Sequence, residues 1–122
     1  MNILLNAGEC QVEFSRKGGG FPTKLSLPRR DGSQAVLMES AFPLMSMQLA
    51  DGRTIYPTWP EGLEPNRSSL DNSERLEFEQ LPWIDGQGCL VKGFSLSLQY
   101  EFHPDGAVFV NSFFLSDQLG AP

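Results

Sequence analysis

Two carboxylates, one histidine, two cysteines and three loop aromatics are the side chains whose types and spacing could do chemistry. Glu77 and Glu79 stand two apart within Glu74–Gln80. On an extended strand this places their Cα atoms about 6.5–7 Å apart on one face, a separation that overlaps acid–base pairs around a glycosidic bond. Solvent-facing alternation in an antiparallel sheet produces the same spacing. Glycosidase carboxylates mostly come from different strands or loops, so the pair reads first as a solvated face. His103 is the only histidine, and it stands beside Pro104-Asp105-Gly106. A Ser/His/Asp or Cys/His arrangement would have to use it, whereas an exposed turn histidine is the plainer reading. Ser95 lies in an alternating strand and lacks the strand-to-helix elbow of a hydrolase nucleophile. There is no C-x-x-C, and Cys10 and Cys89 read as small buried hydrophobes, with a disulfide as the alternative. No catalytic residue, metal site or cofactor is therefore assigned.

The aromatics suggest binding instead. Tyr56, Trp59 and Trp83 flank the stretch 57–73, which holds three prolines and has no hydrophobic period. Sugars stack their C–H faces on such rings while carboxylates, amides and guanidinium groups take the hydroxyls. The candidate ligand-binding set is thus Tyr56, Trp59 and Trp83, with Arg53 and Glu79 as polar partners. In the competing reading both tryptophans plug the ends of a sandwich core.

The elements that must position these residues are strands. Phe94, Leu96, Leu98, Tyr100 and Phe102 alternate with polar residues, Pro104-Asp105-Gly106 supplies a turn, and Ala107–Leu115 returns with apolar residues on both faces. A one-faced strand feeding a two-faced one suggests an outer strand beside a more central one. Further strands are expected at 10–15, 23–27, 34–38, 42–49, 53–56 and 74–80, with Asp51-Gly52 as a two-residue hairpin turn. Pro82 is expected to interrupt the strand that begins at Glu74. Gly18-Gly19-Gly20 lacks the G-x-x-x-x-G-K-[ST] pattern of a phosphate loop and reads as a flexible connection. The fold expected is all-β, an antiparallel sandwich of eight or nine short strands with little or no helix, one domain over residues 1–122 and an irregular acidic loop at 57–73.

Composition narrows the partners. A formal net charge of −6 and a pI near 4.6 argue against nucleic acid and anionic membrane surfaces. No apolar run approaches the roughly 18 residues of a membrane span. The segment Met1–Asn6 has no basic n-region, so a cytoplasmic location is expected.

Gly19-Gly20-Phe21-Pro22-Thr23-Lys24-Leu25-Ser26-Leu27, Phe94-Ser-Leu-Ser-Leu-Gln-Tyr-Glu-Phe102, Pro104-Asp-Gly and Val108-Phe-Val-Asn-Ser112 together resemble the N-terminal part of a galactose-mutarotase-like β-supersandwich. The resemblance spans most of residues 10–117 and implies a carbohydrate-active setting. That family uses two histidines and a glutamate on the sugar ring and more than twice this length, so no catalytic residue carries over. It also implies sheet edges that need covering, by a second copy or a missing C-terminal part, through residues 107–115. The expected function is a non-catalytic carbohydrate-associated module. The alternatives are an assembly domain that dimerises through its C-terminal hairpin, and a fragment of a sugar-processing enzyme.

Overall fold

The computed structural model describes residues 2–116; Met1 and residues 117–122 of the expected 1–122 domain lie outside the described residues. Ten antiparallel strands are described: β1 (Asn2–Ala7), β2 (Cys10–Ser15), β3 (Pro22–Pro28), β4 (Gln34–Glu39), β5 (Met47–Gln48), β6 (Thr54–Pro57), β7 (Asn66–Leu70), β8 (Ser73–Asp85), β9 (Leu90–Phe102) and β10 (Val108–Ser116). They form two sheets. The smaller runs β1-β2-β3-β4 and the larger β10-β9-β8-β6-β5. The first half of β8 pairs with β7 and the second half with β6, while β9 runs along its other side. The all-β, sandwich-like expectation holds.

The core follows from the period of two. Leu76, Phe78, Leu81 and Trp83 on β8, and Leu96, Leu98, Tyr100 and Phe102 on β9, are buried, and the smaller sheet meets them with Leu5, Ala7, Val12 and Phe14. Phe14 sits at the centre, its ring 5.0 Å from Tyr100, 6.0 Å from Phe78 and 6.1 Å from Phe102. The contacts with Tyr100 and Phe102 are edge-to-face and add to the area term.

Four hairpin turns share one design. In each, a three-residue loop closes with a left-handed glycine, Gly32, Gly52, Gly88 or Gly106, at φ between +83° and +97°. The flanking residues hold the loop by backbone bonds, as in His103 N to Ala107 O at 2.9 Å and Gly106 N to His103 O at 3.0 Å. Asp31, Asp51 and Asp105 accept from the backbone two residues on, at 2.9–3.0 Å. The Asp51-Gly52 turn is therefore three residues long, not two, because Leu49 N bonds Arg53 O.

Other departures have equally local causes. The stretch 57–73 is not irregular throughout: Asn66–Leu70 is β7, turned back onto β8 by Asp71 and Asn72, both with positive φ. Every β7 residue is exposed, so it carries no hydrophobic period to read. Of 42–49 only Met47–Gln48 is strand. β8 runs through Pro82 because register shifts on either side of Leu81 leave the proline outside the ladder with β9, and its carbonyl accepts from Thr58 N at 2.8 Å. Cys89 is exposed rather than buried, Cys10 is half-buried, and both are free.

The triple glycine is not a flexible connection. Arg16–Gly18 forms a single 3-10 turn, and Gly18, Gly19 and Gly20 are all buried. A Cβ on Gly19 would lie 2.3 Å from the Pro57 carbonyl oxygen, and one on Gly20 2.5 Å from a Leu81 methyl. Tyr100 donates its hydroxyl to Gly20 O at 2.7 Å, and burial pushes that phenol's pKa upward. The glycines let the β2–β3 connection of the smaller sheet pass directly against the larger one.

The outermost strand of the larger sheet reverses its expected place. β9 is flanked on both sides, and β10, apolar on both faces, is the edge. Two-faced apolarity usually marks a central strand because both faces need cover. Here Val108, Phe109, Val110, Phe113, Phe114 and Leu115 are between 39% and 62% exposed.

Candidate functional site

Residues of β8, β9 and β10 that point away from the core are mostly polar, and the register aligns them into two rows. Arg75, Glu101 and Phe109 form one row across the three strands, and Glu77, Gln99 and Asn111 the next. Adjacent strands lie about 4.8 Å apart and successive same-face residues about 6.5–7 Å apart. The six groups therefore fit within the footprint of a sugar ring or two. With Tyr100 they line a hollow of about 220 Å³, below the roughly 300–1,000 Å³ of drug-sized pockets.

The electrostatics are mixed rather than single-signed. An Arg75 guanidinium nitrogen stands 3.8 Å from one Glu101 carboxylate oxygen, and His103 Nε2 is 3.0 Å from the other. The His103 ring meets Phe109 edge-on at 5.2 Å. It is thus half-buried and packed, not the freely exposed turn histidine expected from its neighbours. Arg75 Nε is shielded from water and has no hydrogen-bond partner. The arrangement offers a guanidinium donor, two carboxylate acceptors, two amides that both donate and accept, and a phenyl face at one end. Among the described residues no three His, Cys, Asp or Glu side chains gather as a metal site requires. No described helix is long and apolar enough to cross a membrane.

The five residues expected from sequence do not come together. Trp59 is 3% exposed; its ring packs edge-on against Phe78 at 5.1 Å, its Nε1 donates to Leu63 O at 2.8 Å, and the Arg16 guanidinium sits 5.3 Å from it. Arg16 is itself pinned by Pro60 O at 2.6 Å, which ties the 57–63 stretch to the glycine turn. Trp83 is 1% exposed and meets Phe114 edge-on at 5.8 Å. Both tryptophans are core residues, and neither offers a face to a ligand. Glu79 is exposed on β8 just before the bulge at Gln80 and does not line the hollow, so the Glu77–Glu79 pair is split between two environments.

Arg53 and Tyr56 do share a shallow concavity with Asp85 and Gln87. Arg53 is engaged there by Asp51 at 2.7 Å. Tyr56 also borders a wider cleft of about 700 Å³ with Arg16, Lys17, Phe42, Thr58 and Asp85. The Asp85 carboxyl is held below the usual range by hydrogen bonds from Cys89 N and Gln87 N, so it serves its own turn.

Sequence reasoning missed Arg75, Gln99, Glu101 and Asn111 as a group. The alternation of Gln99, Glu101 and His103 is visible in the sequence, yet only cross-strand register shows which β8 and β10 residues lie beside them. No family model, no curated protein and no solved structure matches the chain.

Proposed function

We propose that the chain is a non-catalytic carbohydrate-associated module whose ligand face is the polar side of β8, β9 and β10. One observation carries this reading: two aligned rows place Arg75, Glu77, Gln99, Glu101 and Asn111 around one small hollow with Phe109 at its rim. Planar, bidentate groups of mixed donor and acceptor character suit the alternating hydroxyls of a sugar, and the ring supplies a surface for its C–H face. The resemblance to the N-terminal part of galactose-mutarotase-like domains supports the same ligand class. The binding set thereby moves from the tryptophans to the outer sheet face.

A glycan array probed with the wild-type protein and with Gln99→Ala tests the proposal. Gln99 is exposed, and its truncation leaves the core intact. Binding of a neutral or acidic saccharide that falls at least tenfold in Gln99→Ala is expected. No binding to any glycan, or binding unchanged in the variant, would overturn the reading.

A further inference from the structure

We infer that β10 is the pairing edge for a second copy of this chain, joined antiparallel about a two-fold axis at Ser112. Exposed edge strands are ordinarily blunted by charge, proline, bulges or brevity. The other described edges are so treated. β5 is two residues long, β4 carries Glu39 and a register shift against β3, and Arg67 reaches across to the Leu4 carbonyl on β1 at 3.4 Å. β10 has none of these devices. It is nine residues long and pairs in unbroken register with β9. It holds no charged residue in a chain of net charge −6, so two copies meet there without the repulsion that most of the surface would impose.

Symmetry then selects the register. A two-fold axis normal to a continuous sheet keeps the same face upward in both copies, so residues that pair must share parity. Centring the axis on Ser112 uses the whole strand and sets Val110 against Phe114 on the core side. On the outer side it sets Phe109 against Leu115 and Asn111 against Phe113. The six large side chains are 39–62% exposed, which sets an upper limit of about 1,200 Å² on the apolar area a pair can bury, at the low end of specific interfaces. The inference stands without the sugar-binding reading. If both hold, the two hollows lie on one continuous sheet face, and a multivalent glycan gains avidity.

Analytical ultracentrifugation without ligand tests the association, and cysteine cross-linking tests the register. The full chain is expected to sediment as a dimer at tens of micromolar, and Val110→Lys as a monomer with an unchanged far-UV spectrum. In a Cys10→Ser, Cys89→Ser background, Ser112→Cys is expected to form a disulfide-linked dimer on mild oxidation, because directly opposed strand residues lie within disulfide range. A wild-type monomer, or an open-ended series of larger species, overturns the proposal. So does a dimer that Ser112→Cys does not cross-link. Glycan binding by a strictly monomeric protein would refute the pairing while leaving the ligand face intact.

Discussion

Replacing Gly19 by alanine should destabilise the fold far more than the same change at Gly106, although conformational strain alone argues the reverse. Gly19 sits at φ +60°, ψ +32°, inside the left-handed well that an alanine enters at a cost of roughly 1–2 kcal/mol. Gly106 sits at φ +97°, farther from that well, so its strain is at least as large. The difference lies in what the new methyl meets. At Gly106 nothing lies within 4 Å, whereas at Gly19 the Pro57 carbonyl oxygen would be 2.3 Å away and its carbon 3.0 Å. Those are backbone atoms, so no rotamer change relieves the clash, and overpacking adds roughly 1–3 kcal/mol. The expected losses are about 2–5 kcal/mol for Gly19→Ala and about 1–2 kcal/mol for Gly106→Ala. A domain of this size has roughly 6–18 kcal/mol of stability in all. Urea unfolding followed by far-UV circular dichroism measures both, with stability read from the midpoint at unchanged slope. Equal midpoints for the two variants would refute the close approach of the glycine turn to β6.

Two further perturbations probe the same framework. Tyr100→Phe removes the hydroxyl that Gly20 O accepts at 2.7 Å and leaves a buried carbonyl unpaired, so a loss of about 1–3 kcal/mol is expected by urea unfolding. A loss under 0.5 kcal/mol would show that water reaches that carbonyl. Asp85 has a folded-state pKa below its ordinary 3.8, owing to the bonds from Cys89 N and Gln87 N. Its contribution is therefore complete above about pH 4–5 and is lost as pH falls through the lower folded value. The amide signals of Gln87 and Cys89 should titrate together with the Asp85 carboxyl below pH 3.8. Titration at or above 3.8 would contradict the turn geometry.

The fold was largely legible because strands carry their burial pattern in plain alternation. Glu74–Gln80 and Phe94–Phe102 show it, and both form the centre of the larger sheet. What stayed hidden depended on partners. β7 has five exposed residues and exists only because Asp71-Asn72 folds it onto β8. The reading of Gly18–Gly20 as flexible failed because sequence displays glycine's freedom but not the neighbours that demand its smallness. The two-faced pattern of β10 was visible, yet sequence cannot distinguish cover by a neighbouring strand from cover by another molecule. Trp59 and Trp83 beside prolines fitted both a ligand platform and a core plug. Burial of 97% and 99% makes them core, and the polar rows required a register that no single strand encodes.

Side-chain amide and guanidinium NMR during titration with a panel of monosaccharides and short glycans tests the ligand face most directly. The expected result is movement of the Gln99 and Asn111 NH₂ signals and of Arg75 Nε–H, which now lacks a partner, while the Trp59 and Trp83 indole signals stay fixed. Movement confined to the Arg53 Nε–H, which lines the other concavity with Tyr56, or none with any saccharide at millimolar concentration, would contradict it.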